Sequence, residues 1–297
     1  MTLATSLITI RVTWYLLQLI MVSALLQDEI RMNKKINKSK LNNNYVDLEI
    51  NNGIYTVTFR RPDKMNALRS IDFEHLILIL KQFNTDDSAF VLILTGTGKA
   101  FCSGEDLNEL LNDGELLSEN VTNRVSVLQS ISDLIYQSNK PIIAAVNGAA
   151  VGFGMEVTLA CDIRIASKSA YFWMPEAIRG LVPTNGSFYL LPRLIGGSNA
   201  SNMMLLSAKI SANTAKNIGL ISEIYDDENI LTEAKALADK LVDHSSQSIF
   251  HIKRLMRKSN SDSWKNMLVE ETAAVISLAE SGEIGLGAEN FSKRKRS

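Results

Sequence analysis

The 297-residue sequence has little cysteine, histidine or proline: two, three and five residues respectively. Cys102 and Cys161 cannot build a disulfide framework, and His75, His244 and His251 are too dispersed to offer zinc-ligand spacing. No metal site is expected. Neither cysteine has a base near it in sequence, so both are read as buried packing residues and the histidines as solvated. The chain also lacks an excess of either charge. Its 31 Lys and Arg face 32 Asp and Glu, a net charge of −1, so no whole-chain basic field calls for nucleic acid. The basic run Lys293–Arg296 reads as a solvated terminus. With only 16 Gly and 46% apolar residues, collagen-like and globally disordered chains are excluded. What is left is a globular chain expected in the cytoplasm.

One apolar stretch stands apart. Residues 3–26 are mostly apolar but are interrupted by Arg11 and weakened by Gln18, which makes a poor spanning helix. An anchor, a targeting peptide and an extension outside the folded protein compete here. Met32 opens a polar, start-like leader, and the last of the three is preferred. The expected organisation is an N-terminal extension over 1–44, a core over 45–225 and a helical region over 226–297.

Within the core, 46–50 and 54–59 alternate around Asn51-Asn52-Gly53 as a hairpin. Ser70 to Phe83 carries helical spacing with Ser70 as N-cap, and 118–137 is a second amphipathic helix. The runs FVLILT (90–95) and PIIAAV (141–146) are continuous and apolar, as strands buried on both faces are. Shorter strands are expected at 162–166 and 170–173, and an apolar helix at 153–160. The repeated strand–loop–helix order predicts an α/β fold. After about residue 225, helices are expected at 230–243, 247–258 and 262–280.

Chemistry concentrates in two segments read as loops. Lys99 to Leu107 follows one buried strand, and Asn147 to Glu156 follows another and opens a helix. In α/β folds the carboxyl ends of strands are where ligands bind. The first amides of a helix lack internal acceptors and sit at its positive end. Two strand–turn units could therefore aim two N–H groups at one carbonyl oxygen, an oxyanion hole. Glu156 lies in the first turn of the apolar helix, and Glu176 follows a strand turned by Pro175. Carboxylates in apolar surroundings can trade protons near neutral pH. By spacing alone, Glu156 also reads as a dipole partner and Glu176 as a surface acid. Gly152-x-Gly154 lacks the third glycine of a dinucleotide fingerprint.

The motifs Arg61-Pro62-x-x-Met65-Asn66-Ala67-Leu68, Ala100-Phe-Cys-Ser-Gly104-Glu-Asp-Leu107 and Asn147-Gly148…Gly152-x-Gly154-x-Glu156…Cys161-Asp162 occur in order. With Pro175-Glu176, Gly180-Leu-Val-Pro183, Leu191-Pro-Arg193 and Phe291–Lys295, the segment from about 46 to 295 resembles the enoyl-CoA hydratase/isomerase (crotonase) superfamily. The resemblance implies a spiral of repeated ββα units with a C-terminal helical region that forms trimers, often paired as hexamers. It implies an acyl-CoA thioester substrate, with coenzyme A as part of the substrate and no separate cofactor. The acyl-CoA would be held around Lys64, Met65, Ala67, Leu68, Ser103, Gly104, Asp106, Leu107 and Gly152. The oxyanion-hole amides would be those of Glu105 and Phe153. Glu156 and Glu176 would add water reversibly across a short- or medium-chain 2-enoyl-CoA, giving the 3-hydroxyacyl-CoA. A Δ3,Δ2-enoyl-CoA isomerase and a non-catalytic CoA- or nucleic-acid-binding relative are the alternatives. The Glu105 side chain is expected to face solvent, and that of Phe153 to point away from the pocket or narrow it.

Overall fold

The computed structural model describes residues 45–112 and 118–286. The apolar stretch 3–26, the Asn/Lys-rich leader and the basic tail lie outside the described residues. Strands β1 (Val46–Asn51) and β2 (Ile54–Phe59) form an antiparallel hairpin, Val46 opposite Phe59. Strands β3 (Val91–Gly96), β5 (Ile142–Val146), β7 (Ile163–Ser167) and β10 (Glu223–Tyr225) extend it in parallel, in the order β1-β2-β3-β5-β7-β10.

Period-2 alternation explains why the central strands are continuous apolar runs. Leu92, Leu94, Ile142 and Ala144 point into the main core, which is shared with helices α1 (Ser70–Thr85) and α3 (Ser118–Tyr136). Val91, Ile93, Ile143 and Ala145 point to the other face and meet Ile230, Ala234 and Ala238 of α7 (Ile230–Val242). Helix α1 differs from expectation at its start. Arg69 is the N-cap, and the buried Asp72 in the first turn accepts from Arg69 N (3.0 Å) and from the Arg69 guanidinium. Ser70 falls inside the helix because Asp72, not the serine hydroxyl, supplies the capping oxygen.

A second sheet holds one strand expected from the sequence, at 170–173, and three that are not. Strands β4 (Ala100–Cys102), β6 (Ala149–Val151), β8 (Tyr171–Trp173) and β9 (Ile210–Ser211) pair in the order β4-β6-β8-β9. Both segments read as loops are therefore strands in part. Pieces of three residues carry too little alternation to be distinguished from turns. The remaining helices are α2 (Leu107–Asn112), α4 (Phe153–Ala160), α5 (Ser187–Leu205, broken at Gly196), α6 (Ala212–Asn217), α8 (Ser246–Lys258) and α9 (Trp264–Glu280). The architecture is α/β, with alternating strand and helix units followed by C-terminal helices. His75 and His251 are half-buried instead of solvated, because both lie on helices packed against neighbours; burial lowers the pKa of His75.

Helix α8 is latched onto the core by polar contacts. The buried Lys253 donates to Asp162 Oδ2 (2.6 Å) and the Lys140 carbonyl (2.8 Å), and Asp162 Oδ2 also accepts from Ile142 N (2.8 Å). Arg257 Nη1 reaches the carbonyls of Tyr136 (2.6 Å) and Ser138 (2.5 Å). Replacing Lys253 by Met removes one donor from each acceptor, leaving the Lys140 carbonyl with Ser138 Oγ (3.1 Å) and Asp162 Oδ2 with Ile142 N (2.8 Å). Because the Asp162 side chain remains 30% exposed, the expected cost is about 2 kcal/mol rather than that of a fully buried pair. Urea unfolding checks this, and an unchanged midpoint would refute the latch.

Candidate active site

Two segments distant in sequence are zipped together at the carboxyl edge of the sheets. Ser103 N donates to Met65 O (3.0 Å), Leu68 N to Gly104 O (2.9 Å) and Asp106 N to Leu68 O (2.8 Å). Asn66 staples this junction from inside. Its Nδ2 donates to the carbonyls of Thr97 (2.9 Å) and Ala100 (2.7 Å), while its Oδ1 accepts from Arg61 N (2.8 Å). Arg61 also pairs with Asp106 at 2.5 Å. The Asp106 carboxylate is thus engaged as a brace within the junction.

This parallel bridge of Leu68 with Glu105 uses the groups flanking Glu105. The Glu105 N–H consequently points to the opposite side, away from Leu68. On that side stands the start of α4. Phe153 is its first residue, so its N–H has no acceptor within the helix. The two turns are in contact: a Cβ built on Gly104 would lie 3.5 Å from Phe153 N. Gly152 makes the turn into α4 at φ +54, a conformation open to glycine and strained for other residues. The Phe153 ring packs edge-on against Phe73 at 4.9 Å and is buried, leaving its amide beside the cavity.

Both glutamates reach this place. Glu156, one turn into α4, is buried and accepts four hydrogen bonds. Thr184 N (2.8 Å), Asn185 N (3.2 Å) and Ser187 Oγ (2.9 Å) converge on Oε1, and Asn185 Nδ2 (2.6 Å) reaches Oε2. Glu176 follows β8, which is tied to the α4 turn through Gly152 N donating to Trp173 O (3.0 Å). Its Oε1 lies 3.4 Å from the position of a Cβ on Gly152, and its Oε2 is buried without a protein partner. Burial, joined by the nearby charge of Glu156, pushes the Glu176 carboxyl up to about 7. A carboxyl titrating there can donate or accept a proton at neutral pH.

Glu105, Phe153, Glu156 and Glu176, with Ser103, Gly104, Leu107 and Gly152, line one cavity of about 140 Å³. Lys64, Met65, Ala67, Leu68 and Asp106 are not part of its lining. Met65 instead borders a larger hollow of about 720 Å³, shared with Thr97, Gly98 and Lys99. The expectation for the Glu105 side chain is corrected. It turns inward and accepts from Arg124 Nε of α3 at 2.6 Å. Its partner lies 19 residues away on a separate helix, so nothing local in the sequence points to the pair. Sequence reasoning also missed Asn185 and Ser187, although their segment follows Glu176 closely. Cys102 and Cys161 are buried, with thiols pushed up to about 12 by burial, as packing residues are. Among the described residues no cluster of potential metal ligands is found, and no helix is long and apolar enough to cross a membrane.

Glu156 and Glu176 thus lie on one cavity beside the Glu105 turn and the start of α4. The enoyl-CoA hydratase/isomerase family model matches residues 49–296. The 2,3-dehydroadipyl-CoA hydratase of Escherichia coli K12 is 31% identical over 242 residues, 82% of this chain and 93% of that protein. The 1,2-epoxyphenylacetyl-CoA isomerase of the same organism is 33% identical, covering 74% of this chain and 84% of its own. A crystal structure of enoyl-CoA hydratase from Bacillus anthracis superposes with a TM-score of 0.80 at 29% identity, over 84% of this chain and 96% of that one. The chain belongs to the enoyl-CoA hydratase/isomerase (crotonase) family, with the family's spiral fold and its hydratase/isomerase chemistry on acyl-CoA thioesters.

Proposed function

We propose that the protein hydrates a 2-enoyl-CoA to the 3-hydroxyacyl-CoA and catalyses the reverse reaction. The observation that carries this reading is the contrast between two carboxylates on one cavity. Glu156 is held by four donors, three of them on Oε1, which leaves Oε2 the less occupied oxygen. Glu176 has a buried, unpartnered oxygen and titrates at about 7. Environments that differ in this way assign base and acid roles.

The thioester oxygen sits between the N–H groups of Glu105 and Phe153, where the charge of the enolate collects. Removing one such donor in other enzymes costs about 3 kcal/mol. Water lies between Glu156 Oε2 and Glu176. Its oxygen bonds C3 as Glu156 takes its proton, and Glu176 gives its own proton to C2. Water is thereby added across the double bond, and proton exchange returns both acids to their starting forms. Coenzyme A runs past Lys64–Leu68 and Ser103–Leu107 toward the larger hollow at Met65. Asp106 contributes through its backbone, since its carboxylate is taken by Arg61. Exposed apolar residues on α8 and α9, among them Ile252, Met256, Val269 and Ile276, support the trimer of the family resemblance.

A second reading has its own observation. Glu176 keeps an unpartnered oxygen and could by itself shuttle a proton between C2 and C4 of a 3-enoyl-CoA, which is isomerase chemistry. Assays on crotonyl-CoA and on a 3-enoyl-CoA, with wild type beside Glu156→Gln, separate the two. Hydration lost in the variant supports the hydratase; robust isomerisation that survives it, without hydration by wild type, supports the isomerase. No turnover of either substrate by wild type sinks both.

Asn185 is a positioning residue in this mechanism. In Asn185→Ala, Glu156 loses the donor on the oxygen that faces water. A hydrogen bond to a charged group is worth ~1.5–3 kcal/mol, so kcat should fall roughly 10- to 100-fold with KM little changed. A rise in KM at constant kcat would show that Asn185 serves binding instead.

A further inference from the structure

We propose that the Arg124–Glu105 ion pair limits the acyl chain to a short, uncharged group of about four to six carbons; this rests on reading the cavity as the acyl site. The cavity measures about 140 Å³. For comparison, an apolar protein cavity of about 150 Å³ takes a benzene-sized ligand. Its α3 wall presents Val121, Val125 and Leu128, hydrocarbon suited to an acyl chain, but Arg124 rises from the same helix among them. Arg124 Nε and Nη2 both engage Glu105 Oε2, and the two side chains are only 12% and 24% exposed.

A hydrocarbon tail extended along this wall would strip the remaining water from the pair and offer no hydrogen bond in return. Desolvating an ion pair without compensation is unfavourable. Glu105 already shows the strain of its place: burial, with Glu156 and Glu109 nearby, raises its pKa despite the opposing arginine. An anionic tail fits no better. With Glu176 protonated for the proposed reaction, Glu105 and Glu156 already offset Arg124 and Arg179 in the cavity lining, so an added carboxylate meets no net positive charge.

The test reads binding, so that it stands apart from turnover. Saturated butyryl-, hexanoyl- and decanoyl-CoA are titrated calorimetrically into wild type and into the double variant Arg124→Ala/Glu105→Ala. The double variant removes both charges and leaves neither unpaired. Where a tail has apolar room, each methylene adds about fourfold in affinity. Wild type should depart from that trend beyond hexanoyl and bind decanoyl-CoA at least about tenfold more weakly than the trend extrapolates. The double variant should restore it. If the double alanine variant does not fold, Arg124→Leu/Glu105→Gln removes the charges with less loss of volume, and the same restoration is expected.

Affinity that climbs steadily through decanoyl-CoA in wild type overturns the proposal. So does a wild-type cutoff that both double variants keep. Adipyl-CoA binding more tightly than hexanoyl-CoA, with the advantage lost in Arg124→Ala, would make the arginine a carboxylate receptor and overturn it as well. A wild-type protein that shows the length cutoff but hydrates nothing would leave this proposal standing and sink the hydratase reading alone.

Discussion

Replacing Glu176 by Gln is expected to lower acyl-CoA turnover by about 10³-fold, since general acid–base catalysis contributes roughly 10²–10⁴. The side chain keeps its size, and a buried carboxyl that lacks a protein partner at Oε2 loses no hydrogen bond there. The fold should therefore survive. Two pH signatures accompany the loss. In the proposed reaction the protonated carboxyl is the acid, so wild-type hydration should decline as pH rises through about 7, and the residual rate of the variant should not follow that titration. Stability moves too. The folded-state pKa lies above the ordinary glutamate value, so the folded form binds the proton more tightly than the unfolded chain. This contribution is fully present below the unfolded pKa and is lost as pH rises through about 7. Relative to wild type, Glu176→Gln should then look more stable at pH 8 than at pH 4 in parallel thermal melts. A variant that retains tenfold-reduced turnover with the wild-type pH profile would remove Glu176 from the mechanism.

A single methyl group at Gly154 should be nearly as damaging. A Cβ there would fall on the carbonyl of Cys102 and 2.8 Å from the Cys102 Cβ, at the contact of α4 with β4. Neither side can yield cheaply, because Cys102 is wholly buried and every residue of α4 is buried. Overpacking of this kind costs about 1–3 kcal/mol. The larger effect is on geometry. Cys102 leads directly to the Glu105 amide, and Gly154 follows the Phe153 amide, so separating them pulls the two N–H groups apart. A displacement of about 1 Å at a reacting centre can cost ~10²-fold. Gly154→Ala should thus lose turnover by about that factor while a modest drop in unfolding midpoint shows the protein still folded. Wild-type kcat in a destabilised variant would show that the two amides do not work as a unit.

Much of this was legible in one dimension. The runs at Val91–Gly96 and Ile142–Val146 declare buried parallel strands because both their faces must be apolar, and the structure covers one with α1 and α3 and the other with α7. The ordered motifs around Asn66, Gly104, Gly152 and Glu176 mark the segments that meet, since each combines a strand end with a turn. The three-residue strands β4 and β6 stayed hidden, because their pairing partners lie almost fifty residues apart and their alternation is too short to read.

The side chains of the site divide in the same way. Glu156 and Glu176 could be singled out as candidates, yet their difference could not. It arises from the 184–187 segment folding over Glu156 and from the absence of any such partner at Glu176 Oε2. Glu105 is the plainest case, expected in solvent and found against Arg124 of another helix. Local sequence determined the long strands, most of the helices and the turns that join them, because backbone periodicity and chain geometry act over a few residues. Tertiary structure alone decided which charges face one another, because hydrogen bonds and desolvation depend on neighbours brought from far along the chain.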